Sequence, residues 1–226
     1  MAPVTEFVLA PIKPGAASLA SLYQACSSLK PQTGSQQQQR VRAAVLHEDP
    51  TQLRLFADWD SVEDHLAFRA GPSYAAFMAA VRPHAAGRAV VLHAELAPHP
   101  PAVLDNEEGK GKTAVAEVLF AYFAPGAADA VADKNLAAAR TLVAGLSGAG
   151  FAGLSGESAV GWSVERDVEY EGEGARVLVV LIGWDSVEAH REARATEAYG
   201  KIVADFQGAV EGLRGFDISH VTTKAM

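Results

Sequence analysis

The eight residues DWDSVEDH that begin at Asp58 return as GWDSVEAH from Gly183. With Trp59 laid on Trp184 (an offset of 184 − 59 = 125), Asp60, Ser61, Val62, Glu63, His65, Arg69, Ala70 and Tyr74 fall on Asp185, Ser186, Val187, Glu188, His190, Arg194, Ala195 and Tyr199. Nine of the sixteen positions from 59 to 74 are identical, tryptophans included. So dense a match within one chain of 226 residues points to duplication, and each half then has to build the same unit.

The flanking segments agree. Before each Trp runs an apolar stretch of strand character, QLRLFADW and RVLVVLIGW. After it, Asp60 or Asp185 is expected to cap a helix, with Glu63 or Glu188 three residues on completing a capping box. The helix carries apolar residues at helical spacing, Tyr74, Phe77, Met78 and Val81 in one half and Tyr199, Ile202, Val203, Phe206 and Val210 in the other. Gly71-Pro72 is expected to break or kink the first copy. Each half opens on a strand, EFVLAPI (6–12) or EVLFAYF (117–123), followed by Pro-Gly and an alanine-rich helix. A second strand follows, RVRAAVLHED (40–49) or SAVGWSVERD (158–167), and a last one closes the half, AVVLHAEL (89–96) or GFDISHVT (215–222).

The order β-α-β-β-α-β, twice, is the ferredoxin-like split motif. Its helices cover one face of a four-stranded sheet. Because VLVVLI (177–182) is apolar on both faces, the other face has to be buried too, most simply against the second half. The expected organisation is a first repeat over 1–97, a Pro-rich then charged linker over 98–113, and a second repeat over 114–226. QTGSQQQQ (32–39) reads as a low-complexity loop between the first helix and the second strand.

Charge and composition narrow the partners. A formal net charge of −8 without Lys/Arg clusters argues against nucleic acid and against an anionic membrane. One cysteine, Cys26, allows no intrachain disulfide and sits on the apolar stripe Leu19, Leu22, Cys26, Leu29, where an inert core thiol is expected. The N-terminus lacks a basic n-region, so a cytoplasmic, soluble protein is expected. The seven histidines show no metal-ligand spacing, and GKGKT in the linker has Asn106 where a phosphate loop needs glycine. Neither a metal nor a cofactor is expected.

A strand ending in Trp, then Asp-Ser and a capped helix, resembles the antibiotic biosynthesis monooxygenase-like family. Those proteins are dimeric α/β barrels with one ferredoxin-like unit per chain. The resemblance implies an α+β fold of two tandem ferredoxin-like βαββαβ repeats packed sheet to sheet as an intrachain dimeric α/β barrel; it leaves a further homodimer open. In cofactor-free, quinone-forming members the pocket is lined by the Trp, an Asn four residues before it and a Tyr six residues after it. Here those positions hold Trp59 and Trp184, Leu55 and Val180, and His65 and His190. The amide is absent and a histidine replaces the tyrosine. Haem-degrading relatives place an axial His about nineteen residues after the Trp, where Met78 and Val203 stand, which argues against haem.

The candidate catalytic residues are His65, His190, His93 and His220. His65 and His190 are proton acceptors for an acidic phenol or enol, since imidazole titrates near neutrality. The alternative for each is a histidine that locks helix to sheet. His93 and Glu95 share a strand face, and position 95 aligns with His220 (95 + 125); His93 and His220 become pocket groups if that face is the barrel interior. The candidate substrate-binding residues are Trp59, Trp184, Tyr74, Tyr199, Tyr122 and Trp162, the last two lining a cavity of the second half. Buried indoles need a partner for their N–H. The leading reading is an enzyme of specialised metabolism acting on a hydrophobic, polyketide-like or aromatic small molecule, a cofactor-free monooxygenase or a non-oxidative cyclase or dehydratase. Its rival is a non-catalytic binding or stress-related barrel, with a first-half pocket filled by Phe56, Phe68 and Phe77. The second half, with its longer hairpin, is expected to hold the more open site.

Overall fold

The computed structural model describes residues 2–29 and 38–226, so the 32–39 run lies outside the described residues as far as position 37. The first half contains β1 (Val4–Pro11), α1 (Ala16–Ser27), β2 (Gln38–Val45), β3 (Gln52–Trp59), α2 (Val62–Arg69), α3 (Pro72–Val81) and β4 (Val90–Ala97). The second contains β5 (Val115–Phe123), α4 (Asp129–Ala149), β6 (Leu154–Ser163), a short β7 (Val168–Tyr170), β8 (Glu173–Trp184), α5 (Val187–Arg194), α6 (Glu197–Ala209), β9 (Leu213–Val221) and β10 (Lys224–Ala225). Each half has the ferredoxin-like order, with the expected single helix after the Trp divided in two.

The cap explains that division and corrects the expectation. Ser61 and Ser186, not the aspartates before them, are the N-caps, their Oγ atoms accepting from the backbone N–H of Asp64 and Ala189. Both helices stop at eight residues. The first restarts at Pro72; the second has no proline and restarts on Thr196, whose Oγ1 accepts from Tyr199 N–H. The break falls at Gly71-Pro72 in the first half, as expected, and recurs in the second half without a proline.

The strands run β2-β3-β1-β4 in one half and β6-β8-β5-β9 in the other, all antiparallel, and the two sets join edge to edge where β4 pairs with β6. At the far edges the ends of β9 and β2 meet through the Leu46–Val221 bridge and His47 N–H donating to His220 O, and β10 pairs with β2. Two seams thus curl the strands into a barrel. The centre of its interior is apolar, where Phe7, Phe56, Leu92 and Leu96 of the first half meet Val118, Phe120, Val177, Val179 and Leu181 of the second; toward one end Arg42 is paired with Asp58 at 2.8 Å. Phe7 takes the edges of Phe56 and Phe120 at centroid distances of 5.4 and 5.7 Å. On the opposite face of β8, Leu178, Val180 and Ile182 pack under α4 and α6, so this strand is buried on both sides as its composition requires. The linker is packed too: Val103 and Leu104 enter the interior core, and Asn106 bridges Val221 O and Thr223 N–H. Among the described residues no helix is long and apolar enough to cross a membrane.

The β4–β6 seam depends on Gly161, where an added Cβ would lie 1.9 Å from Glu95 O. Gly161→Ala is expected to lower unfolding free energy by about 2 kcal/mol or more through backbone displacement. Gly200→Ala, in α6 with open space around it, is expected to raise it by roughly 0.5–1 kcal/mol. Urea denaturation of the two variants against the parent chain checks both signs.

Candidate functional site

Each tryptophan ends its strand opposite the first residue of the opening strand, Trp59 across from Val4 and Trp184 across from Val115. Two residues along the opening strand, on the same face, stand Glu6 and Glu117. Each accepts the indole N–H at 2.9 Å. One turn into the capped helix, the imidazole lies flat on the indole, His65 on Trp59 with centroids 5.0 Å apart and His190 on Trp184 at 4.8 Å. His65 Nε2 is 3.4 Å from Glu6 Oε1, and His190 Nε2 is 3.5 Å from Glu117 Oε2.

The other ring nitrogen points to the closing strand. His65 Nδ1 is 2.7 Å from His93 Nε2, and His190 Nδ1 is 2.7 Å from His220 Nε2. Each of these second histidines is then met by a glutamate of the opposite half. Glu165 accepts from His93 N–H at 2.8 Å and lies 2.6 Å from His93 Nδ1; Glu48 holds His220 in the same way. Burial raises the Glu165 and Glu48 carboxyls, but the hydrogen bonds from their histidines outweigh it and keep both below the ordinary carboxylate value. An ionised carboxylate can only accept. His93 therefore donates through Nδ1; with that ring neutral, Nε2 accepts from His65 Nδ1 and the His65 Nε2 lone pair faces Glu6. Burial pushes His65 and His190 down to about 3, and raises Glu6, with Glu117 reaching about 7. His65 and His190 are thereby held neutral at rest.

What surrounds this shared frame differs between the halves. In the first, a cavity of about 610 Å³ lies between the sheet and α1–α3, and Glu6, Trp59 and His65 form its polar end. Val8, Leu22, Leu55, Phe68, Phe77 and Met78 are among its apolar walls, and Arg69, Arg82 and Arg88 stand at its rim. In the second, the matching space is about 50 Å³. There the 21-residue α4, against 12 residues in α1, seals the sheet with Leu142 and Leu146, and Tyr199 OH lies 3.0 Å from His190 Nε2. Tyr74, the counterpart of Tyr199, instead packs on Phe68 and Phe77 beneath the Arg69 guanidinium and lines the cavity. The open half is the first, against expectation, and Phe68 and Phe77 line its space without filling it; Phe56 faces the barrel interior.

No family model matches the chain, and neither does any curated protein. Solved structures do. An anthrone oxidase-like protein superposes with a TM-score of 0.63 at 18% identity, over 100% of this chain and 94% of its own. Proteins assigned as monooxygenases from Fusobacterium nucleatum (TM-score 0.63, 9% identity, 99% of this chain and 94% of that one) and Lactobacillus acidophilus (0.59, 11%, 100% and 99%) also match. The chain has the fold of these three proteins. What it shares with these proteins is architecture.

Against that architecture, the sequence candidates divide. His65, His93 and Trp59 come together beside the cavity, as do His190, His220, Trp184 and Tyr199 in the closed half. His93 and His220 do not face the barrel interior; Leu92, Ala94 and Leu96 do, and the histidines point outward to α2 and α5. Nor is Glu95 the counterpart of His220. His93 is (220 − 93 = 127), because the second half carries two more residues between the repeated phrase and its last strand. Tyr122 and Trp162 line neither space: Tyr122 is in the interior core, donating to Asp217 and stacked on Tyr170, while Trp162 packs on Phe123 and donates to Ala132 O. Four glutamates went unread. Glu6 and Glu117 begin the quoted opening strands, and Glu48 and Glu165 stand in the HED and ERD that end the second strands.

Among the described residues, Glu6, His65 and His93 could each offer one atom within 4.8 Å of the others to a cation. The facing nitrogens of the two histidines do not fit one. Two nitrogens bound at ~2.1 Å to one ion stand about 3 Å or more apart, whereas His65 and His93 are 2.7 Å apart along a hydrogen bond.

The Glu117 carboxyl titrates near 7 in the fold against an ordinary 4.5, so folding holds its proton between those values and stability is lost as pH rises through them. Glu117→Gln keeps an acceptor for Trp184 and removes the titrating carboxyl. It is expected to raise unfolding free energy at pH 8 by on the order of 3 kcal/mol and to leave it unchanged near pH 4. Denaturation at the two pH values measures the difference.

Proposed function

We propose that the first half is the working site of a small-molecule enzyme of specialised metabolism, a monooxygenase acting without metal or haem on a hydrophobic, polyketide-like phenol or enol, with His65 as proton acceptor. The observation that carries this reading is the pair of histidine environments. In the closed half a phenol, Tyr199 OH, sits against His190 Nε2 at 3.0 Å. In the open half no tyrosine takes that place, and the equivalent nitrogen faces a cavity of about 610 Å³, within the range of ligand pockets. A substrate hydroxyl would bind His65 as Tyr199 binds His190. The apolar walls suit fused rings, and Arg69, whose charge reaches His65, favours an anion forming there.

Proton removal leaves an electron-rich enolate or phenolate, which oxygen can oxidise directly. For an anthrone the balance is one methylene carbon and one O₂ giving a carbonyl and one water: one oxygen atom is retained, and the other leaves with the two methylene hydrogens. An anthrone is the first substrate to test because of the likeness to an anthrone oxidase-like protein. Leu55, which lines the cavity where quinone-forming relatives carry an amide, favours a second reading, proton transfer without oxygen in a cyclase or dehydratase.

Oxygen uptake by chelator-treated protein with anthrones and hydroquinones, read beside product mass, tests the choice. A gain of one oxygen is expected, reduced about 10²- to 10⁴-fold in His65→Ala and retained in His190→Ala. Conversion without mass gain supports the cyclase reading. Binding without conversion supports the non-catalytic barrel.

A further inference from the structure

A proton arriving at His65 Nε2 meets a difficulty. The ring is buried against Trp59, and that environment disfavours a charged imidazole. It need not become charged if its other nitrogen gives up a proton as the first accepts one. The geometry provides for this. His65 Nδ1 to His93 Nε2 is 2.7 Å, His93 Nδ1 to Glu165 Oε1 is 2.6 Å, and the Glu165 side chain is 28% exposed. The path runs unbroken from the cavity across the β4–β6 seam to solvent.

Its far end is firmly held. Val164 N–H donates to His93 O at 2.8 Å, which ties the segment to β4 just before the glutamate, and Ser163 Oγ donates to Glu165 O at 2.7 Å within that segment. We infer that Glu165, supplied by the second half, is the proton outlet of the first-half site, taking through His93 the proton that His65 removes from substrate and returning it later in the turnover. This rests on the function proposed above and extends it to a residue outside the cavity.

The transfers balance. The substrate O–H proton goes to His65 Nε2 as the Nδ1 proton of His65 moves to His93 Nε2 and the Nδ1 proton of His93 moves to Glu165, which exchanges it with water. Each ring changes tautomer and stays neutral. When the oxygenated intermediate loses water, the same transfers run in reverse, restore both tautomers and leave no net proton. Glu165 touches no reacting atom; it acts through His93. The ionisable groups facing the path are Glu6 on β1, Arg69 on α2, His93 on β4 and Glu165 itself.

Glu165→Gln keeps one of the two acceptors that His93 uses and cannot take its proton. Its kcat is expected to fall on the order of 10- to 100-fold with KM unchanged, to lose the acid limb of the pH–rate profile, and to recover with added imidazole. Glu48→Gln, the mirror change beside the closed half, is expected to leave turnover unaltered. A Glu165→Gln enzyme with the parent's kcat and pH profile, while His65→Ala is inactive, overturns the outlet and spares the His65 base. An active His65→Ala defeats the base and the outlet with it. Nitrogen-15 NMR of the resting parent protein is a readout independent of activity and of any variant's folding. Both His65 and His93 are expected neutral with Nδ1 protonated, and an Nε2-protonated His93 contradicts the path.

Discussion

The bond between a histidine on one half's closing strand and a glutamate just past the other half's second strand organises this molecule. His93–Glu165 and His220–Glu48 sit at the two seams where the barrel closes, each beside a backbone hydrogen bond across the same seam. The ionised glutamate sets the tautomer of its histidine, and that histidine sets the tautomer of the next. The direction of every donor up to the Trp-stacked ring follows from a carboxylate of the opposite half. Neither half holds a complete site by itself, which gives a physical reason for the two units to share one chain.

The halves keep this polar frame and differ in what packs over it. A long α4 and the Tyr199 hydroxyl close one copy; a short α1 and a turned-away Tyr74 leave the other open over a cavity of about 610 Å³. The closed copy satisfies its buried histidine internally, as a buried polar group must be. The open copy presents the same lone pair to Glu6 and to whatever enters. One copy is packed shut, and the other keeps a cavity.

The repeated phrase made the architecture legible. Period-two strands, helical stripes and the apolar both-faced β8 led to two ferredoxin-like units buried sheet to sheet, and the structure has that form. The histidines of the phrase were legible as candidates for the same reason. Their glutamate partners were not, because Glu6 and Glu165 gain meaning only when strands distant in sequence become neighbours across a pair or a seam. The choice of open half misled for a different cause. Cavity volume depends on helix length and on the orientation of one tyrosine, Tyr74 against Tyr199, and identical residues in a repeat carry no record of that difference. Likewise the constant offset of 125 failed at the last strand, where two added residues shift the counterpart of His220 from Glu95 to His93.

The central claim is that His65 faces a ligand hydroxyl in the first half as His190 faces Tyr199 in the second. A crystal structure with a polycyclic phenol soaked in tests it most directly. The account predicts ligand density between the first-half sheet and α1–α3, with the phenolic oxygen within hydrogen-bonding distance of His65 Nε2. A phenol bound elsewhere, or bound in that cavity with its hydroxyl turned from His65, would contradict it.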